Sequence, residues 1–375
     1  MIRVLNILDT VGSGGVERRR LSMAKLLDKS KFELKIICTN TKGGIADEIR
    51  KQGVEIVAIG DLKSPFDYKQ HQKVIQIIKE FKPHIIHGAV FEGVTMAAVN
   101  GFLKNVPIVI LEETSDPQNR SWRGNLLMKA FSLVADKVVG VSPASTYYLQ
   151  NKLGISTKKI QLIENGVAFP RTVSQEEVKT LKEKLKIDPD KVVIGSVGRM
   201  LDDGTKRFSD LIKAFDLLIK KGVNTHLILI GEGKEKQNYI QLVSQLGLAE
   251  KVTFVGYQSD VAPYYEIFDV FSLVSAHESF GLVLVEAMLH KLPVLATRVG
   301  GMQYIVNEGA TGFLVEKYQV TEIAEQLEVL CSDSNLRKQM GEKGYSKAMN
   351  CYTEEKYVEK VSALYTTLLE SKKIK

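Results

Sequence analysis

The sequence predicts an α/β protein built from two doubly wound parallel sheets in tandem, and three observations carry that reading. The chain has 375 residues, more than one hydrophobic core usually spans. Short apolar runs of strand length alternate from end to end with segments whose apolar residues recur at the helical period. The alternation gives way once, to a polar stretch over Arg171–Lys191, and then starts again. Parallel strands need helical crossovers, so a βαβ rhythm played twice reads as two sheets, each wrapped by helices.

The first series of strands is expected at Val4–Leu8, Lys35–Cys38, Val54–Ile59, Ile85–His87, Ile108–Leu111 and Lys137–Val141. Between them, Val16–Leu27 and His71–Phe81 space their apolar residues near 3.6. The rhythm pauses at Ile160–Gly166. The second series reads Val192–Val197, His226–Ile230, Lys251–Val255, Val270–Leu273, Pro293–Ala296 and Gly312–Val315. Glu354–Lys375 reads as one amphipathic helix with a basic tail. Residues 1–165 then form one domain and residues 166–354 a second. Sheets of this type bind ligands at the carboxyl ends of their strands, so a cleft between two such domains is the expected site.

Hydrophobic residues make up 44% and charged ones 25%, as in ordinary soluble proteins. No apolar run approaches the roughly 20 residues that span a bilayer. The opening stretch Met1–Leu8 is too short for a signal peptide, and Asp9 interrupts it. Cys38, Cys331 and Cys351 have no paired spacing, so neither a disulfide framework nor a zinc site is expected, and a cytoplasmic location is.

The net charge of +7 is unevenly placed: residues 1–165 hold 24 Lys/Arg against 16 Asp/Glu, and residues 166–375 hold 27 against 28. An anionic partner of the first half, such as a lipid head group, a phosphate or a membrane surface, would account for this; a solvated basic surface is the alternative. Arg18-Arg-Arg20 opens the first helix. The segment Ser121–Phe131 carries the only Trp, two cations and an apolar stripe. That composition suits peripheral contact with an anionic membrane, or a packed helix with snorkelling cations. Nucleic acid is disfavoured, because aromatics are not interleaved with the basic residues.

Three motifs carry chemistry. Thr10-Val-Gly-Ser-Gly-Gly-Val-Glu17 follows the opening strand, where glycines let backbone N–H groups approach a phosphate at a helix N-terminus. Gly12, Gly14 and Gly15 are too closely spaced for the dinucleotide fingerprint, and a tight turn is the plain alternative. Gly198-Arg199 ends the strand Val192–Val197, with Lys206 and Arg207 a few residues on. A guanidinium fork and a mobile ammonium placed there can converge on one diphosphate, and any one of them alone reads as surface. The third motif is Ser275-Ala-His-Glu278-Ser-Phe-Gly-Leu-Val-Leu-Val-Glu286. Glu278 lies in the loop after a strand, and Glu286 about two turns along a helix expected from Phe280 to His290. Eight residues apart, both can face one side. The N–H groups of Phe280, Gly281 and Leu282 would then point at an anion. Glu286 interrupts an apolar stretch, where a carboxylate is costly without partners such as sugar hydroxyls.

With Glu278-x7-Glu286 inside His-Glu-Ser-Phe-Gly-Leu, Gly198-Arg199, Lys206, Asn165-Gly-Val167 and Gly14-Gly-Val-Glu17, the chain resembles the retaining GT-B glycosyltransferases of family 4 over nearly its whole length. The resemblance implies two facing Rossmann-like domains: an acceptor domain in residues 1–165, joined by a C-terminal helix (355–375) that crosses back, and a donor domain in residues 166–354. It implies that Glu286 holds ribose hydroxyls and Glu278 contacts the donor sugar. Arg199 and Lys206 would bind the diphosphate, with amides around Phe280–Leu282 and the Gly14–Gly15 loop helping. Val255-Gly-Tyr257 would line the pocket for the base, expected to be uracil, and Asn165-Gly-Val167 would mark the hinge. The activity implied is transfer of a hexose from a UDP-sugar to a glycan or a polyprenyl- or other lipid-linked acceptor, in cell-surface polysaccharide or glycolipid biosynthesis, without cofactor or metal.

Neither Asp202-Asp203 nor Asp188-Pro-Asp190 is the strand-end D-x-D of a metal-bridged diphosphate. Family members often carry a histidine facing the reacting sugar where this chain has Glu113, a carboxylate that would stabilise an oxocarbenium-like sugar or contact an acceptor. His84 and His87 are nearby in sequence and read as structural. Competing readings are a sugar-nucleotide epimerase or phosphorylase of GT-B form, an NAD-dependent oxidoreductase, and a non-catalytic binding protein.

Overall fold

The computed structural model describes residues 1–12, 14–115, 120–201 and 204–374. It divides into two compact units, one of Met1–Ala168 with Thr353–Lys375, the other of Phe169–Tyr352. In the first unit the strands are β1 (Ile2–Ile7), β2 (Thr10–Val11), β3 (Phe32–Cys38), β4 (Asn40–Thr41), β5 (Glu55–Ala58), β6 (Ile85–Ala89), β7 (Ile108–Glu113), β8 (Lys137–Gly140) and β9 (Ile160–Leu162). Seven of them form a sheet in the order β5-β3-β1-β6-β7-β8-β9, and β2 pairs β4 separately. In the second unit β10 (Val192–Val197), β11 (Thr225–Ile230), β12 (Val252–Gly256), β13 (Val270–Leu273), β14 (Val294–Thr297) and β15 (Gly312–Val315) form a sheet in the order β12-β11-β10-β13-β14-β15. Every pair in both large sheets is parallel. Each unit is therefore Rossmann-like, and its strand order reverses once, between β1 and β6 and between β10 and β13.

Strands buried on both faces read as continuous apolar runs, and β7 begins Ile-Val-Ile-Leu with all four residues buried. Two parts of the chain differ from the sequence expectation. The pause at Ile160–Gly166 contains the edge strand β9, whose three residues have a single neighbour and little burial to mark them. The polar stretch Arg171–Lys191 contains the helix Gln175–Lys184, which buries no side chain. Its start is held by a capping box, Ser174 and Glu177 each bonding the other's backbone N–H, and Arg171 ties Glu177 to Asp260.

The first unit is organised around a buried ionic cluster. Arg20, on the helix Gly15–Leu26, pairs with Glu112 on β7 and donates from Nη1 to the Tyr357 hydroxyl at 3.0 Å. His87 on β6 lies 3.3 Å from the same carboxylate and 2.8 Å from the Tyr365 hydroxyl. Tyr357 and Tyr365 belong to the C-terminal helix Glu354–Ser371, so the cluster ties the end of the chain to its beginning. That helix buries Val358, Val361, Leu364 and Leu368 with Val4, Met23 and Ile110. Arg19 is also buried, 3.9 Å from Glu112. Of the basic run Arg18-Arg-Arg20, two guanidinia are therefore interior groups and only Arg18 is exposed. Burial raises the Glu112 carboxyl, but the Arg20 charge, the His87 hydrogen bond and the nearby Arg19 outweigh it and hold the group well below the usual carboxylate range. Burial lowers the pKa of the His87 imidazole below its ordinary value, and the hydrogen bond to Glu112 only partly offsets this.

Arg20→Ala strands Glu112 in the interior and should lower the unfolding free energy by about 3–5 kcal/mol, whereas the double change Arg20→Met with Glu112→Leu should cost far less. Urea denaturation followed by circular dichroism measures both. Because the folded Glu112 pKa is depressed, its contribution is present above the unfolded carboxyl pKa, about 4.3, and is lost as pH falls below it. Glu112→Gln should accordingly flatten the acid limb of the stability profile.

Candidate active site

In the second unit Arg199 follows β10 and the Glu278 loop follows β13, the two strands between which the order reverses, while Tyr257 follows the edge strand β12. Arg199 stands exposed just past the end of β10. Its loop is held by backbone bonds from Gly198 to Ile230 and from Met200 to Glu232. A Cβ at Gly231 would lie 1.8 Å from the Gly198 carbonyl oxygen, and one at Gly233 2.0 Å from that of Met200. Both glycines also have positive φ, so no other residue allows the approach.

The stretch 205–207 then runs antiparallel to the exit of β13: Ala276 N–H donates to Thr205, Arg207 N–H donates to Val274, and Lys206 bridges Ser275. This pairing carries Lys206 to Glu278, 72 residues away, and the two form a half-buried ion pair. The Glu278 loop has its own support. Thr297 Oγ1, at the end of β14, accepts from Ser275 N–H at 2.9 Å and donates to the Ser275 carbonyl at 2.7 Å. Gly300 takes φ +48°, and a Cβ there would sit 1.6 Å from the Glu278 carbonyl oxygen.

The helix after this loop spans Leu282–Leu289, two residues later than expected at its start. Gly281, at φ +107°, is its N-cap, so the N–H groups of Gly281, Leu282 and Val283 are the ones at the helix end. Phe280 precedes the helix, and its ring is buried edge-on to Tyr352. Glu286 is half-buried on this helix, and the Tyr265 hydroxyl donates to its Oε2 at 2.9 Å. Tyr257 follows β12 and is 60% exposed.

In the first unit, Gly14 is the N-cap and Gly15 the first residue of the helix Gly15–Leu26. Glu17 folds back over them, its Oε2 2.6 Å from where a Gly14 Cβ would stand, so a ligand phosphate there has to displace a carboxylate. Glu113 ends β7 only 2% exposed, paired with Arg120 and accepting from the Ser115 hydroxyl at 2.8 Å. The carboxylate expected to face the sugar or the acceptor is thus paired with a guanidinium. The Arg120 guanidinium also lies 6.0 Å from the Phe91 ring centroid. Val90, next to Phe91, takes φ +63°, a conformation β-branched residues avoid, at the mouth of the β1/β6 reversal.

Of the aspartate pairs, Asp188 and Asp190 cap a surface turn, and Asp202-Asp203 lies outside the described residues. Among the described residues, no three His, Cys, Asp or Glu side chains cluster as metal ligands. No described helix is long and apolar enough to cross a membrane. Sequence reading missed Tyr265, Thr297, Gly300 and Arg120. Only Gly300-Gly301, straight after an apolar strand, carried a signal.

Two family models match the chain: Glycosyltransferase Family 4 over residues 13–169 and Glycosyl transferases group 1 over residues 177–347. The capsular polysaccharide biosynthesis glycosyltransferase CapM of Staphylococcus aureus is 27% identical over 362 residues, 92% of this chain and 93% of that protein. The crystal structure of Anabaena Alr3699/HepE in complex with UDP-glucose has a TM-score of 0.86 at 20% identity, covering 98% of this chain and 100% of that one. A glycosyltransferase structure from Rickettsia africae ESF-5 has a TM-score of 0.84 at 24% identity, covering 98% and 99%. The two structures speak for the fold. The molecule is thus a GT-B glycosyltransferase. It belongs to glycosyltransferase family 4.

Gly300→Ala should push the Glu278 backbone aside. Misplacing a reacting group by about 1 Å costs roughly a hundredfold in rate. The expected result is a fall in kcat of that order with the protein still folded, read by steady-state transfer assays beside a thermal melt.

Proposed function

We propose that this enzyme is a retaining, metal-independent glycosyltransferase that moves a hexose from a UDP-sugar to a glycan or lipid-linked acceptor in surface polysaccharide or glycoconjugate synthesis. The observation that carries the reading is the grouping of Arg199, Lys206, Glu278 and a helix N-terminus at the carboxyl edge of one sheet. Leaving-group charge in this reaction builds on the nucleoside diphosphate, and preorganised cations and amides stabilise it where a metal ion would otherwise do so. Lys206 and Glu278 form an ion pair with each other. On binding, Glu278 turns to the sugar hydroxyls and Lys206 to the diphosphate, while Arg199 offers its fork to the phosphate oxygens. Glu286 holds the ribose and Tyr257 lies against the base. The acceptor hydroxyl attacks from the leaving-group face and gives its proton to the departing phosphate. The uridine donor is supported by the UDP-glucose seen in HepE, and the polysaccharide role by the name of CapM.

The carboxyl edge of the first unit's sheet receives the acceptor, with the neutralised Glu113–Arg120 pair contacting it rather than countering a cationic sugar. Contact with an anionic bilayer is proposed for the helix Trp122–Val134. Its inner side buries Met128 and Phe131, while Trp122, Leu126 and Leu133 are 70%, 61% and 75% exposed along one stripe, with Arg123 and Lys129 on the same helix.

Three measurements test this. UDP should raise the melting midpoint in EDTA with saturation, and GDP, ADP and NAD⁺ should not; stabilisation by NAD⁺ alone would favour the oxidoreductase. Arg199→Ala should lower kcat by about a hundredfold or more while leaving the melting midpoint in place; near-wild-type turnover sinks the assignment. The protein should float with vesicles rich in anionic lipid and lose that binding on Trp122→Ser with Leu126→Ser; wild-type protein that stays at the bottom of the gradient removes the membrane contact.

A further inference from the structure

Tyr265 belongs to no motif of the sequence, yet its place is unusually constrained. It closes the short helix Ala262–Tyr265 and is 1% exposed. Its ring stacks on His290 with centroids 4.7 Å apart and planes 21° from parallel, and Phe268 and Phe271 pack around it. A ring enclosed in this way has no second rotamer to visit. Its hydroxyl is presented to Glu286 Oε2 at 2.9 Å, with the Val283 carbonyl farther off at 3.4 Å. A phenol carries one proton, and the carboxylate oxygen is the closer acceptor, so the proton goes to Glu286. His290 Nδ1 lies 2.8 Å from the Glu286 carbonyl oxygen, so that nitrogen carries the proton and donates, which fixes the face His290 offers to the tyrosine.

Glu286 is thus held twice, by its carbonyl through His290 and by one carboxylate oxygen through Tyr265. With Oε2 occupied, Oε1 is the oxygen turned over to a ligand. A free glutamate loses rotamer entropy when a ligand orders it; this one has lost it on folding, so the ligand does not bear that cost.

We infer that Tyr265 is a positioning residue that sets Glu286 for the ribose hydroxyls, and so makes the enzyme prefer ribonucleotide over deoxyribonucleotide donors. The inference rests on the reading that Glu286 holds the ribose. Tyr265 touches no substrate atom itself.

The test is calorimetric binding in EDTA of UDP, 2′-deoxy-UDP and 3′-deoxy-UDP to wild type, Tyr265→Phe, His290→Leu and Glu286→Gln. A hydrogen bond to a charged group corresponds to about tenfold or more in affinity, so wild type should prefer UDP over at least one deoxy form by that factor. Tyr265→Phe keeps the ring and its stack. It should shrink the preference at least about threefold, by weakening UDP binding while leaving the deoxy form almost unchanged. A tyrosine that merely filled the core would move all three ligands together. His290→Leu leaves the hydroxyl but loosens the ring, and should shrink the preference in the same direction, which keeps the test open if Tyr265→Phe fails to fold. A wild-type preference in both variants, with Glu286→Gln losing it, overturns the role of Tyr265 alone. An undiminished preference in Glu286→Gln overturns the ribose assignment and this inference with it. If wild type binds GDP or ADP instead of UDP, the same series in that base decides the question.

Discussion

Every strand in each large sheet runs the same way, and the rest of the molecule follows from that constraint. Parallel strands end together, so all the loops that leave a sheet's carboxyl edge are neighbours however far apart they lie in sequence. The order reverses between β10 and β13, so the connections that leave these two neighbouring strands run to opposite sides of the sheet. Arg199 leaves from one and Glu278 from the other. The backbone pairing of 205–207 with 274–276 then adds Lys206 to the same place. None of these side chains is unusual. Their joint position is a property of the sheet.

The first unit meets the same constraint with a different solution. Its carboxyl edge carries Glu112 and Glu113 side by side, two carboxylates that the alternation of a strand points to opposite faces. Glu112 goes inward and is compensated by Arg20, with His87, Tyr357 and Tyr365 filling the remaining hydrogen-bonding positions. Buried ion pairs seldom add stability over apolar residues, but breaking one is costly, so this cluster fixes which helix closes that face. It does so with the last helix of the chain, after Thr353 has returned to pair beside Val167. Glu113 turns the other way and meets Arg120.

Electrostatics at the carboxyl edge of the second unit's sheet combine several kinds of positive group with one carboxylate. A point charge on Lys206, a planar fork on Arg199 and the N–H groups around Gly281 supply three kinds of positive potential. Glu278 is paired with one of them, Lys206. The glycines Gly231, Gly233 and Gly300 set the loops at distances that a methyl group would forbid, so the positions of the charges are steric in origin.

How much of this was legible follows from the range of the forces involved. Local patterns placed β10, β13 and β15 to the residue, because continuous apolar runs bounded by polar ones are a property of a few neighbouring side chains. The short strands β2 and β4 and the edge strand β9 escaped, having too few residues for a period to show. Arg199, Lys206, Glu278 and Glu286 could be named from strand-end placement and spacing. The first helix's arginines could not be told apart, since nothing in Arg-Arg-Arg says which will meet a glutamate 92 residues away. The sequence by itself determined the two α/β units and the chemical types at their strand ends, because periodicity and turn chemistry act within a few residues. Only the tertiary structure decided that Glu113 is paired, that Arg19 and Arg20 are interior, and that Tyr265 holds Glu286, because each depends on contacts that exist only once distant elements have packed.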